Sequence, residues 1–182
     1  MIARFRTLGA VAALVTSTAA GAEKSQMSKH RAAQEQLIGQ CIKAASGHHG
    51  WLEKTLWGLR DQEGGWIGAK IANRDGSHDL GPLQINSWWI SKFAAATGKP
   101  APSIRWWLTH DACFNVSAAR WIFLSGLALT SDYWKAVGTY HSPTAWRQRR
   151  YALSVAARLR KRFGLDVFKP RQTIRIKERT EL

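Results

Sequence analysis

The sequence predicts a mainly α fold in which one short loop or hairpin region interrupts a succession of helices. Apolar residues recur at spacings of three and four through most of the chain, the period of a helix that buries one face. The runs end at Gly and Pro positions, the usual helix stops. The exception is Ile71 to Asn86, IANRDGSHDLGPLQIN, where Asp75-Gly76-Ser77 and Gly81-Pro82 break the period. A length of 182 residues suits one domain with a tail.

Taken in order, Arg4 and Arg6, the apolar stretch Leu8 to Ala20 and the triplet Ala20-Gly21-Ala22 read as an export signal over residues 1–22. The apolar stretch is shorter than the roughly 20 residues that a spanning helix needs, and no other stretch is read as a membrane span. The mature chain is then expected to begin near Glu23, with Glu23 to Arg31 a loose polar lead-in. A helix capped by Ser28 places Leu37, Ile38, Cys41 and Ala45 on one face until Gly47 ends it. His48 and His49 follow in a turn. Adjacent histidines invite a metal reading, but no HExxH or other ligand spacing accompanies them, so no metal is expected.

Trp51 to Trp66, WLEKTLWGLRDQEGGW, carries Leu52, Leu56 and Leu59 at spacings of four and three, and the next step of four lands on Glu63. After the loop region, Ser87 to Thr97 is expected to be helical, and Gly98 to Ser103, with Pro100 and Pro102, to be a connector. Beyond Asp111 to Cys113 a helix shows Val116, Ala119, Ile122, Phe123 and Leu127 on one face. Asp132 is placed to cap a short helix carrying Trp134, Val137 and Tyr140. Ser142-Pro143 reads as an N-cap with proline at the first helical position, and Tyr151, Val155, Leu159 and Phe163 form the apolar stripe of a last helix ending at Gly164. The expected organisation is a domain over residues 23–164 and a basic tail over 165–182, in which Ile174 and Ile176 suit a short strand.

Basic residues outnumber acidic ones 27 to 12, and twelve basic against three acidic lie between Ser142 and Leu182. The outer face of the last helix, with Arg147, Arg149, Arg150, Arg158, Arg160, Lys161 and Arg162, is therefore expected to be drawn to an anionic envelope surface. Nucleic acid would also suit this charge and the ten tryptophans, but the export signal and the lack of any recognised module argue against it, so no nucleic acid is expected. The tryptophans suit either an aromatic core or a groove that stacks on flat ligands. Cys41 and Cys113 are an even pair in an exported chain, which suggests one disulfide; two buried free thiols are the alternative.

Gly64 and Gly65 should stop the helix at once, leaving Glu63 in its last turn, on the apolar face and beside the negative end of the dipole. Desolvation and dipole both favour the protonated carboxyl, the form that general acid catalysis requires near neutral pH. The plain alternative is a last-turn glutamate bent towards solvent.

Four short motifs thus stand in a fixed order: Glu63-Gly64-Gly65 at a helix end, Gly81-Pro82-Leu83-Gln84-Ile85-Asn86, Cys113-Phe114-Asn115-Val116, and Tyr140-His141-Ser142. Together they resemble the soluble lytic transglycosylases, relatives of goose-type lysozyme. That family has Glu-Ser-Gly at a helix end, a Gly-Leu-Met-Gln-Ile-Asn loop, an Asn-Ile helix start and an Ala-Tyr-Asn-Ser motif. The resemblance runs from about Gln36 to Val155 and is strongest to the small specialised members that accompany secretion and conjugation machines. Those members also place one cysteine well before the glutamate and another just before the Asn motif.

The resemblance implies a lysozyme-like fold, a periplasmic location, peptidoglycan glycan strands as substrate and a secretion or conjugation apparatus as partner. It makes Glu63 the sole acid and base, and Gln84, Tyr140, Asn115, Asn86 and His141 the residues around the substrate. Gln84 would meet the sugar's substituents, Asn115 would support the loop around the cleft, and Tyr140 would bring a hydroxyl close to Glu63. The implied reaction breaks the β-1,4 bond between N-acetylmuramic acid and N-acetylglucosamine without water and without a cofactor, leaving a 1,6-anhydromuramyl end. Gly64 for Ser, Pro82-Leu83 for Leu-Met and His141 for Asn depart from the family pattern. A hydrolytic muramidase using Asp75 or Asp79 as base and a non-catalytic wall-binding or scaffold protein are the alternatives.

Overall fold

The computed structural model describes residues 12–168. Seven helices are found among them: α1 (Ala12–Ala45), α2 (Gly50–Glu63), α3 (Trp89–Thr97), α4 (Ala101–His110), α5 (Ala112–Thr130), α6 (Tyr133–His141) and α7 (Ala145–Phe163). Between α2 and α3 lie three short strands, β1 (Lys70–Ala72), β2 (His78–Leu80) and β3 (Ile85–Asn86), paired antiparallel in that order. The fold is mainly α, and the loop or hairpin region expected over 71–86 is this small sheet. Lys70 pairs with Leu80 and Asp79 with Asn86, so the sheet is two hairpins in succession.

Most element ends follow their local signals. Asp111 caps α5 by accepting from the Phe114 N–H at 2.9 Å, and Asp132 caps α6 by accepting from Lys135 N–H at 2.8 Å. Three ends differ from expectation. The loose lead-in over 23–31 is helical, because its Glu, Lys, Gln, Met and Arg residues are strong helix formers and no proline intervenes; Ser28 lies inside α1 rather than at its cap. The connector shrinks, since α4 starts at Ala101 with Pro100 as its cap and Pro102 in the first turn, where a missing N–H costs nothing. Thr144, not Ser142, caps α7, and Pro143 precedes the helix. Of the expected export signal, residues 1–11 lie outside the described residues and 12–22 belong to α1. The tail is described only as far as Phe168, and Ile174 and Ile176 lie outside the described residues.

The core is one continuous cluster in which α5 contributes Val116, Ala119, Ile122 and Phe123. By length and hydropathy α5 is long and apolar enough to cross a membrane, contrary to the sequence expectation; its buried face is core, packed against α1, α4 and α6. Cys41 of α1 is bonded to Cys113 of α5, with Cα atoms 4.8 Å apart across 72 residues of sequence. Helix α7 lies against α2. There Arg162 holds Asp61 through two 2.6 Å hydrogen bonds and covers the Trp57 ring at 4.0 Å, so part of the basic face of α7 is engaged in docking. Seven tryptophans are exposed, Trp51, Trp66, Trp88, Trp106, Trp121, Trp134 and Trp146, which puts most of these rings at the surface rather than in the core.

Candidate active site

Leu52, Leu56 and Leu59 are buried, and the same face of α2 carries Glu63 as the helix's final residue. Gly64 ends the helix in the left-handed region at φ 62°, with its N–H bonded to Arg60 O at 3.0 Å. This backbone explains the glycine where the resembled family has serine, since a side chain there would carry about 1–2 kcal/mol of strain. Gly65 is buried so tightly that a Cβ would come within 2.3 Å of Gly81 O. The end of α2 is thereby seated directly on the loop after β2.

The loop is held from below by Asn115 on α5. Its side chain accepts from Leu83 N–H at 2.9 Å and donates to Leu80 O at 2.9 Å and Leu108 O at 2.8 Å. Asn115 is fully buried and does not line the cleft. It is therefore a support for the loop and not a residue that meets a ligand. Gln84, at the end of this loop, has a positive φ of 46° and donates through Nε2 to Gly81 O at 2.7 Å.

Above the loop is a cleft of about 230 Å³ lined by Glu63, Asp79, Gln84, Asn86, Trp89, Tyr140 and His141, among others. Of the residues expected around the substrate, Gln84, Asn86, Tyr140 and His141 come together there with Glu63. Asn86 donates to Asp79 Oδ1 at 3.0 Å and to Ser77 Oγ at 2.9 Å, fixing the second carboxylate in the cleft. Asp75 is elsewhere, in the exposed β1–β2 turn, accepting from Ser77 N–H at 3.0 Å.

The hydroxyl bonded to Glu63 is one that the sequence did not single out. Tyr140 donates to Leu83 O at 2.9 Å, bracing the same loop that Asn115 holds. Tyr151 of α7 instead donates a hydrogen bond to Glu63 Oε1. The only mark Tyr151 leaves in sequence is a hydroxyl-bearing residue at the head of an apolar stripe. His141 stacks on Tyr151 with ring centroids 4.7 Å apart and planes 3° from parallel, and Tyr140 stacks at 6.4 Å.

Burial pushes Glu63 up to about 7; the Tyr151 hydrogen bond pulls it down and the Asp79 charge pushes it up. Burial, followed by the charge on Glu63, holds the phenols of Tyr140 and Tyr151 well above the usual range, so both remain hydrogen-bond donors. His141 is pushed below its ordinary value by burial, although Asp79 acts the other way. A carboxyl that is half protonated near neutral pH can both give and take a proton. Amide groups from Gln84 and Asn86 and the Trp89 ring around it suit a polar ring bearing hydroxyl and amide substituents.

No family model matches the chain. It is 29% identical over 118 residues to the invasion protein IagB of Salmonella typhimurium strain SL1344, an alignment covering 62% of this chain and 71% of that protein. It is 30% identical over 113 residues to the invasion protein IagB of Salmonella typhi, covering 59% of this chain and 68% of that protein.

Proposed function

Because the chain belongs to the family of the invasion protein IagB, we propose that it is an envelope enzyme of that family, a peptidoglycan lytic transglycosylase with Glu63 as acid and base. The observation that carries this reading is the place of Glu63, at a helix end inside a polar cleft, where burial pushes its pKa up to about 7. In the first step the Glu63 carboxyl gives its proton to the glycosidic oxygen and N-acetylglucosamine departs. The carbonyl oxygen of the muramyl N-acetyl group stabilises the positive C1. The Glu63 carboxylate then takes the proton of the C6 hydroxyl as O6 closes on C1, and the residue returns to its starting form. No water is consumed.

The neighbours have matching tasks. Tyr151 holds the carboxyl in place and stabilises its ionised form between the two steps. Gln84 and Asn86 face the sugar's substituents, and Asp79, kept in position by Asn86, opposes early loss of the Glu63 proton. The relatives are named for invasion, which fits local opening of the wall in the periplasm for a secretion or conjugation apparatus. The basic outer face of α7 suits retention on that anionic envelope.

Asp79 also favours a second reading. Glycosidases usually set two carboxylates about the bond, and Asp79 lies in the cleft where Asp75 does not. A muramidase would use Asp79 to activate water. Mass spectrometry of products released from purified peptidoglycan separates the two. The expected result is anhydro-ended muropeptides from the wild-type chain and none from Glu63→Gln. Reducing ends that disappear in Asp79→Asn would replace the lyase by the hydrolase, and no release from any form would leave a wall-binding scaffold.

A further inference from the structure

A second and larger groove, of about 780 Å³, has Gly64 and Gly65 in its wall, the two residues that follow Glu63. Its other walls include Lys24 and Arg31 of α1, Arg60 of α2 and the exposed ring of Trp66. The groove is firmly built. Arg60 pairs with Glu35 at 2.7 Å, and Gln34 accepts from Ile67 N–H at 3.0 Å, so α1 is pinned both to α2 and to the segment after it. The acidic residue of the groove is therefore already engaged, and the Arg60 Nε is buried without a hydrogen-bond partner. Lys24 and Arg31 are exposed and have no ion-pair partner among the described residues. The neighbouring cleft has the opposite character, with Glu63 and Asp79 in it.

Two adjoining sites of opposite charge select a ligand that is neutral in one part and anionic in the other. A glycan strand is neutral where its amino groups are acylated and each lactyl carboxyl is held as an amide to a stem. The peptide attached to the lactyl group of each muramyl residue carries free carboxylates in excess of its amine. Asp79 and ionised Glu63 repel that peptide from the cleft, while Lys24 and Arg31 attract it, and the Trp66 face offers an apolar surface to its methyl and methylene groups. We propose, resting on the peptidoglycan reading above, that this groove is a subsite for the acidic peptide stem, so that the enzyme prefers stem-bearing glycan to bare glycan.

The test compares two polymers, intact peptidoglycan and glycan stripped of stems by an amidase, using wild type, Lys24→Glu/Arg31→Glu and the conservative Arg31→Lys. Both charge-reversed positions are exposed, so the fold tolerates them. The expected result is a KM on intact peptidoglycan raised about tenfold in the double variant, with kcat and turnover of stripped glycan unchanged and Arg31→Lys close to wild type. An equal effect on both polymers, or none on either, overturns the proposal. Binding of the free stem tetrapeptide, followed by tryptophan fluorescence, keeps the groove testable by itself. If wild type releases nothing from either polymer, the proposed reaction fails. A salt-sensitive fluorescence change abolished in the double variant still upholds the groove, and no change overturns it.

Discussion

Glu63 stands where solvation would keep a carboxylate ionised and burial would not, and burial pushes its pKa up to about 7. Because the folded state holds the proton up to about 7 while an unfolded glutamate releases it near 4.5, the folded state binds more protons across that window. Stability therefore falls as pH rises through it, by roughly 3 kcal/mol in all. Glu63→Gln should remove that loss. In urea titrations we expect the variant to be more stable than wild type by about 2–3 kcal/mol at pH 8 and indistinguishable at pH 4. Tyr151→Phe tests the partner: without its hydrogen bond Glu63 moves further up, so the alkaline limb of kcat/KM shifts to higher pH, whereas an unmoved limb would make Tyr151 a packing residue. Glu63 was legible as a candidate because it falls at the next step of a leucine stripe before two glycines, and the ordered motifs around it decided what the helix alone left open. Tyr151 was not, because a hydroxyl on an apolar stripe carries no sign of its partner 88 residues away.

At the scale of elements, the loop from Leu80 to Gln84 owes its shape to groups outside itself. Asn115 satisfies three of its surrounding backbone groups and Tyr140 a fourth. Asn115→Ala would leave a buried N–H and two carbonyls unpaired, at a cost of about 2–4 kcal/mol. Hydrogen exchange should show faster exchange at Leu83 and Gln84, with α7 unaffected. Approach of α7 to α2 depends on Gly58, where a Cβ would meet Leu159 Cγ at 2.8 Å. The cap of α6 and the stop of α2 were legible because each is decided within four residues. The length of α1 was not, since one favourable cap residue, Ser28, is outweighed by a long run of good helix formers. Strands of two or three residues are too short to show a period of two.

For the molecule as a whole, the disulfide divides the domain into a closed loop from Cys41 to Cys113 and the helices beyond it. The loop holds Glu63, Asp79, Gln84 and Asn86, while Tyr140, His141 and Tyr151 come from outside it. Closing a loop of 72 residues stabilises by roughly 4 kcal/mol on a chain-entropy basis. Chemical denaturation with and without reductant should show a loss of that size, and a loss below about 1 kcal/mol would mean that the reduced chain already keeps α1 against α5. That the fold is mainly α could be read from periodicity alone. How its two halves share one site could not, because nothing local records which helix docks on which.

That division has a consequence in time. A chain made from its amino end presents Glu63 long before Tyr151 exists, and the hydrogen bond between them forms only when the last helix has packed against α2. Until then the carboxyl is an ordinary exposed acid, ionised at neutral pH and unable to donate. On the proposed reading the chain is thus inert while it is being made, and the acid of the reaction is assembled only with the final fold.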